Sequence, residues 1–223
     1  MGRNLFGWGA RILLLLPAVL LLAAAIPRFV SGRAVDAAFP VPAYMVLNQP
    51  LPLNSYRAAA DVLAKAGEND GRAILERAEA ASLGGDSSAH VMALLRSGLA
   101  ETPASVRGWT LLAEQLVNED PQSAKTALEH SVLLGRYEYF VAGKRSRVAA
   151  TMWDQLPPDV QAAILPQTRL LWTDITLRTN IAPLLTTPGG RELVGRAFRD
   201  DPEQLRALNR YLADERRRAA ANR

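Results

Sequence analysis

The hydrophobic positions of the chain change their pattern once, near residue 54. Residues 12–26 form a run of 15 uncharged, mostly apolar residues between Arg11 and Arg28. From residue 54 onward, apolar residues recur at helical spacing among Ala, Leu, Arg and Glu, which all favour helices. Alternating runs of β-branched residues, the usual sign of strands, are scarce. The pattern therefore predicts an all-α protein that begins with one apolar segment.

The breaks between the predicted helices coincide with residues that cap or interrupt helices. Asp120 and Asp201 each precede a proline, which is the arrangement of an N-cap residue followed by proline at the first helical position. Gly84 and Gly135 suit helix C-termini, and Pro166 is expected to kink or split its helix. The predicted helices span residues 55–66, 71–82, 87–100, 105–118, 121–134, 137–156, 158–178, 188–199 and 202–219.

The apolar run near the N-terminus has two interpretations. A helix of this run alone is about 22 Å long, which is shorter than the roughly 30 Å hydrocarbon core of a bilayer. Aromatic and apolar flanks extend it from Leu5 to Val30, which is enough for a tilted transmembrane anchor. As a cleavable signal peptide it would instead end at the small residues 23–25. We favour the anchor because of the aromatic flanks. Either interpretation sends residues 34–223 across the membrane into the periplasm if Arg3, Arg11 and the amino terminus stay on the cytoplasmic side.

One predicted hairpin carries the pattern of a helical repeat. Residues 109–116 run Trp-x-x-Leu-Ala-x-x-Leu, and Ala124, Leu128 and Ser131 follow in the next helix at spacings of four and three. This pattern resembles the tetratricopeptide repeat (TPR), in which a stripe of small, large and small residues packs the second helix on the first. The alternative is an ordinary amphipathic helix of an unrelated bundle, since any core helix shows this spacing.

The resemblance covers roughly residues 71–136. One unit earlier, Leu95, Gly98 and Pro103 occupy the positions of the large residue, the small residue and the terminal proline. After Gly135 no third unit keeps the register, so the later helices are expected to cap the stack. The predicted fold is an N-terminal transmembrane helix, TPR-like antiparallel helix hairpins and a helical C-terminal cap. The predicted organisation is an anchor or signal peptide (residues 1–33), a proline-rich linker (34–53), TPR-like repeats (54–136) and a helical C-terminal region (137–223).

The charge is unevenly distributed along the chain. The sequence has 26 Lys and Arg against 22 Asp and Glu, a net charge of +4, and a pI near 9.7. Residues 1–33 hold four bases and no acid, residues 34–130 hold 7 bases and 12 acids, and residues 131–223 hold 15 bases and 10 acids. The excess therefore lies in the apolar segment, which argues against nucleic-acid binding. The opposed halves are expected to pair with each other or with a partner of matching polarity.

The sequence contains no recognisable catalytic or cofactor motif. It has no Cys, so a disulfide scaffold, a Cys-ligated metal and a thiol nucleophile are excluded. His90 and His130 are its two histidines, 40 residues apart, and packing or surface roles suit them better than a metal site. Nucleotide, hydrolase and metalloprotease signatures are lacking. The sequence therefore predicts no catalytic residue, no metal and no cofactor.

Two candidate binding surfaces remain. The TPR resemblance implies a groove lined by the first helix of each hairpin, which would include Arg107, Thr110, Glu114 and Asn118. A second cluster combines bases with aromatic residues, which suits an acidic partner, an anionic glycan or lipid headgroups. Its members are Arg136, Tyr137, Tyr139, Phe140, Lys144, Arg145 and Arg147. The first surface can also be explained as simple solvent exposure, and the second as core aromatic residues beside bases on a solvated helix face.

These features lead to a functional hypothesis. The layout looks like that of bacterial envelope proteins associated with exopolysaccharide or secretion systems. We therefore expect a single-pass inner-membrane protein with a periplasmic, non-catalytic domain that binds protein partners as a scaffold or adaptor. The alternative is an all-α periplasmic enzyme that acts on glycans with two carboxylates in one cleft.

Overall fold

The fold consists of packed helices. The computed structural model describes residues 17, 19–23, 25, 26, 29, 33, 51–66 and 70–221, and no strand occurs among them. The helices are α1 Leu53–Ala66, α2 Gly71–Leu83, α3 Ser88–Glu101, α4 Val106–Leu116, α5 Pro121–Leu134, α6 Ala142–Met152, α7 Pro158–Thr173, α8 Ile181–Leu184, α9 Pro188–Ala197 and α10 Pro202–Ala221. Short 3₁₀ turns lie at Tyr139–Val141, Trp153–Gln155 and Arg178–Asn180. The all-α prediction is confirmed for this part of the chain.

Most of the predicted anchor and linker lies outside the described residues. Those described between positions 17 and 33 are helical and exposed. Among the residues that the structure describes, no helix is both long and apolar enough to cross a membrane. The transmembrane anchor and the linker at 34–53 therefore stay predictions.

The capping signals in the sequence mark where the helices begin. Asp120 accepts a hydrogen bond from the backbone N–H of Ser123 at 3.1 Å, and Asp201 accepts one from Gln204 at 3.0 Å. Both helices then start at the proline that follows. Asp70 likewise caps α2 by accepting from the N–H groups of two residues in its first turn. Local chemistry therefore sets these helix starts, and the caps at Asp120 and Asp201 are those predicted.

Two predicted helices in the C-terminal half are shorter than expected. The helix predicted at 137–156 is limited to α6, with a 3₁₀ turn on either side. At its predicted C-terminal end Leu156 has extended backbone, because the residue before a proline disfavours helical backbone and Pro157 follows. The helix predicted at 158–178 ends at Thr173, where Asp174 accepts a hydrogen bond from the N–H of Thr176 and closes a turn.

Of the two outcomes expected at Pro166, a kink or a split of the helix, the split does not occur. Helix α7 continues through Pro166 as one element. Proline removes the hydrogen bond to the carbonyl of Ala162, but both residues are exposed, so water can satisfy that oxygen. The structure thus tolerates this proline on the solvent side of the helix.

Consecutive helices pack as antiparallel pairs. Helix α2 packs on α3, α4 on α5, and α6 on α7. The first helices of the pairs begin at residues 71, 106 and 142, at intervals of 35 and 36 residues. This arrangement is compatible with a TPR-like repeat, and a third pair is present although the sequence pattern lost its register after Gly135. Helix α1 packs on α2 at one end, and α9 covers α6 and α7 at the other.

The residues of the predicted repeat stripe form part of the core. Leu112, Ala113 and Leu116 are buried in α4, and Ala124 and Leu128 are buried in α5. One apolar cluster extends from α2 to Leu212 in α10. The three helix pairs and the C-terminal helices therefore share a single core, which holds the first helices α2, α4 and α6 in fixed positions.

Two glycines of α9 give a matched test of this packing. A methyl group at Gly190 would lie 1.8 Å from the carbonyl oxygen of Leu184, whereas one at Gly195 would meet nothing within 4 Å. We expect G190A to lower the free energy of unfolding by about 2 kcal/mol, because the backbone must shift. We expect G195A to raise it by about 0.5 kcal/mol, because alanine favours helix. Urea unfolding followed by circular dichroism checks both, and equal effects would contradict the packing described.

Candidate functional site

Four of the eight predicted binding residues come together. Arg107 and Glu114 lie on α4, and Lys144 and Arg147 lie on α6, so the two candidate surfaces meet. Two acids of α2 join them. We call this set the ion-pair network, and its six members are Glu76, Glu79, Arg107, Glu114, Lys144 and Arg147. The network spans the first helices of all three pairs.

Arg107 connects α4 to α2. Its Nη1 donates to Oε1 of Glu76 at 2.7 Å, and its Nη2 donates to Oε2 of Glu79. The two acids are three residues apart and therefore lie on one face of α2. A planar guanidinium with several fixed donors can bond both carboxylates at once, which a lysine ammonium does with less directionality.

Lys144 and Arg147 connect α6 to the other two first helices. Nζ of Lys144 lies 3.1 Å from Oε1 of Glu79 and 3.1 Å from Oε2 of Glu114. Nη2 of Arg147 lies 2.8 Å from Oε1 of Glu114, and its Nη1 donates to Oδ1 of Asn180 at 2.9 Å. Lys144 therefore contacts both α2 and α4, and one unbroken chain of ion pairs joins the three pairs of helices.

Burial raises the pKa values of the three acids of the network, and pairing with bases lowers them. Burial alone would raise the pKa of Glu79, but Lys144 and Arg107 hold it below its ordinary value. Glu114 is in the same situation: burial raises its pKa, and Lys144 with Arg147 lowers it further than burial raises it. For Glu76 burial prevails over Arg107, with repulsion from Glu79 adding to it, so its pKa is raised. Glu79 and Glu114 are therefore ionised at neutral pH and stabilised in that state.

The network is balanced, with three acids and three bases. A charge taken out of water destabilises a protein unless it is paired, so each member depends on its neighbours. Within the described residues, Oε2 of Glu76 is a buried oxygen with neither a hydrogen bond nor an ion pair. Glu76 also lines a cavity of about 300 Å³ beside the beginnings of α2 and α4. The network can hold the helices together, and it leaves little free charge for a partner on this face.

Arg145, the neighbour of Lys144, has a separate structural position. It is fully buried, and its side chain donates to Oγ of Ser131 at 3.0 Å and to the carbonyl oxygen of Gly135 at 2.8 Å. It also donates to the carbonyl oxygen of Ser131 and, at 3.4 Å, to Oε1 of Gln167. These carbonyls belong to the end of α5, where a cation is favourable. Burial lowers the pKa of Arg145 to about 10, against the attraction of Glu138.

The other predicted residues do not join the network. Thr110 is buried, with its hydroxyl 2.6 Å from Oγ of Ser131, so it belongs to the core between α4 and α5. Asn118 is exposed beyond the end of α4, and Arg136 is exposed after α5. The predicted groove therefore does not form one open surface of these four polar residues, because Arg107 and Glu114 are paired and Thr110 is inside.

The aromatic residues of the second candidate cluster do not stack on its bases in the described part of the chain. Tyr137 and Phe140 are exposed, and Tyr139 donates its hydroxyl to Oδ2 of Asp174 at 2.8 Å. Arg178, rather than a base of the cluster, lies over an aromatic ring, 4.5 Å from the centre of Trp172. Cation–π contacts between the predicted bases and these aromatics are not found among the described residues.

Metal-binding geometry is also not found in the described part of the chain, where no three His, Asp or Glu side chains could hold one ion. His90 lies beside Asp86, and the ring of His130 stacks on Trp109 with centres 4.7 Å apart. The two histidines thus have surface and packing contacts.

Glu76 and Glu79 are site residues that the sequence pattern did not predict. They fall in the predicted helix with the weakest repeat pattern, where an acid pair is indistinguishable from a solvated face. One signal did indicate them: the first half of the helical body is acidic and the second half basic. Bases of the second half form ion pairs with acids of the first: Lys144 with Glu79 and Glu114, and Arg147 with Glu114.

Comparisons with known proteins leave the family of this chain open. No protein-family model, curated protein or solved structure matches it significantly.

Proposed function

We propose that this chain is a membrane-anchored, non-catalytic scaffold of a bacterial envelope complex, in which a periplasmic TPR-like domain binds protein partners. The observation that carries the proposal is the repeated helix pairing, with first helices at intervals of 35 and 36 residues joined by one ion-pair network. Stacked helix pairs typically present an extended and rigid binding surface. A rigid surface loses little entropy when a partner binds.

The proposed location rests on the sequence of the N-terminal segment. The uncharged run at residues 12–26, its aromatic flanks and the prolines that follow suit an anchor and a spacer. An exopolysaccharide or secretion system is the setting that the layout suggests. The alternative of a glycan enzyme needs two carboxylates in one cleft. The three clustered carboxylates of the network do not support it, because each contacts a base.

A reporter fusion tests the topology. Alkaline phosphatase is active only when exported, so a fusion after residue 60 is expected to give active enzyme in a Gram-negative host. The matched control lacks residues 12–26 and is expected to give none. Protease added to spheroplasts should also digest the unfused full-length chain while a cytoplasmic marker survives. An inactive fusion together with a protected chain would contradict the periplasmic location.

A further inference from the structure

A groove between α5 and α7 lies away from the ion-pair network. Its volume is about 460 Å³, within the range of ligand and peptide pockets. We call it the α5–α7 groove, and it is lined by Glu129, His130, Val132, Leu133, Arg136, Pro157, Asp159 and Val160. It includes Arg136, one of the four predicted binding residues that the network leaves outside.

The groove combines a buried apolar floor with an exposed apolar edge. Val132 and Val160 are buried, whereas the side chain of Leu133 is 81% exposed. Tyr137, one residue after Arg136 in the chain, is 72% exposed. A single exposed leucine is common on protein surfaces, but one at the edge of an apolar groove marks a surface that can bury further area on binding.

The charges on the rim indicate the chemistry of the occupant. In the described part of the chain, the side chains of Arg136 and Asp159 form no ion pair, and Glu129 has only a 4.0 Å contact with Lys125. A complementary partner therefore carries an acid opposite Arg136 and a base opposite Asp159, on either side of an apolar stripe.

The shape of the groove favours a helix as this partner. The described residues contain no strand, so this part of the chain offers no strand edge for an extended peptide to join. A groove between two helices accepts the ridge of side chains on a third helix. A bilayer suits the site less well, because Glu129 and Asp159 would face anionic lipid headgroups.

We propose that the α5–α7 groove binds an amphipathic helix of a partner protein, whose apolar stripe lies on Val132, Leu133 and Val160 and whose flanking acid and base pair with Arg136 and Asp159. The inference rests on the proposed function, since it supposes a protein partner. It differs from the groove that the TPR resemblance implies, because it lies on α5 and α7 rather than on the first helices.

Site-specific photocrosslinking in living cells tests the proposal. The full-length chain carries benzoylphenylalanine at position 133 in one strain and at position 206, an exposed site on α10, in the other. We expect position 133 to yield a protein adduct, and mass spectrometry to map it to a segment with an apolar stripe flanked by an acid and a base. An adduct with lipid, with a second copy of this chain or with a segment lacking that pattern would overturn the proposal.

Substitutions in the uncrosslinked chain add a quantitative test. L133D is expected to reduce the amount of the mapped partner recovered by at least about tenfold, and I175D, an equally exposed apolar site outside the groove lining, to leave it unchanged. D159K should weaken binding, and reversal of the mapped base to an acid should restore it. Equal effects of L133D and I175D, or no rescue, would contradict the proposal.

Different results would contradict the groove proposal and the scaffold function. If position 206 gives a protein adduct and position 133 does not, the groove is wrong and the scaffold function stands. If neither position nor general chemical crosslinking of the full-length chain gives any protein partner, the scaffold function itself is overturned, and the groove proposal with it.

Discussion

Replacement of Arg145 by methionine should lower the free energy of unfolding by about 3 kcal/mol. Arg145 is fully buried and donates to two backbone carbonyls at the end of α5 as well as to Ser131. Methionine fills much of the same volume but leaves those oxygens without a partner, and each unsatisfied buried acceptor is costly. The gain from removing a buried cation offsets only part of this loss.

Arg147 provides the matched control for this prediction. It lies on the same helix and also makes side-chain hydrogen bonds, but it is 29% exposed, so water can replace its partners. We expect R147M to lower the free energy of unfolding by about 1 kcal/mol. Chemical denaturation of both variants, with circular dichroism as the signal, gives the comparison. If the two losses are equal, Arg145 is not the connection between α5 and α6 that the hydrogen bonds indicate.

Helix positions were predictable from the sequence because their signals are local. Asp120 with Pro121, and Asp201 with Pro202, fix two helix starts by capping chemistry within a few residues. The stripe in residues 109–116 also placed Leu112, Ala113 and Leu116 correctly in the core, with Trp109 partly buried against it. Neither inference depended on knowing what the rest of the chain does.

The candidate site was predictable only in part because its contacts are long-range. Lys144 and Glu114 are 30 residues apart, and Arg107 and Glu76 are 31 residues apart. A charged residue on a predicted helix has the same local sequence signature whether it faces solvent or a partner on another helix. Arg145 shows this most clearly, because it stands between Lys144 and Ser146 in a basic segment and is nevertheless fully buried. The uneven charge of the two halves indicated that they form ion pairs with each other, but it did not indicate which residues form them.

The ion-pair network changes where a partner is expected to bind. In the TPR interpretation the first helices supply the binding face, yet here their charged side chains bond to one another. A partner on that face would have to replace internal ion pairs, at a cost similar to what it gained. Arg136 and Asp159 on the rim of the α5–α7 groove form no ion pair in the described part of the chain, so binding to them requires no such exchange.

The clearest test of the network is E79Q, which should lower the free energy of unfolding by about 3 kcal/mol. Glu79 is buried between Arg107 and Lys144, so loss of its charge leaves both bases without their shared partner. The matched variant E76Q, one helical turn away, should change stability by less than about 1 kcal/mol. Its amide oxygen can still accept from Arg107, and the change removes a carboxylate whose pKa burial has raised.

The pH dependence of the unfolding free energy shows whether E79Q acts through loss of charge or through altered packing. The lowered pKa of Glu79 means that its stabilising contribution is complete above the ordinary value of 4.5 and is lost as the pH falls below it. The difference in unfolding free energy between the wild type and E79Q should therefore shrink as the pH falls below about 4.5. Urea unfolding at a series of pH values measures it. A difference that stays constant with pH would show that Glu79 acts through packing, and that the chain of ion pairs does not hold the three first helices together.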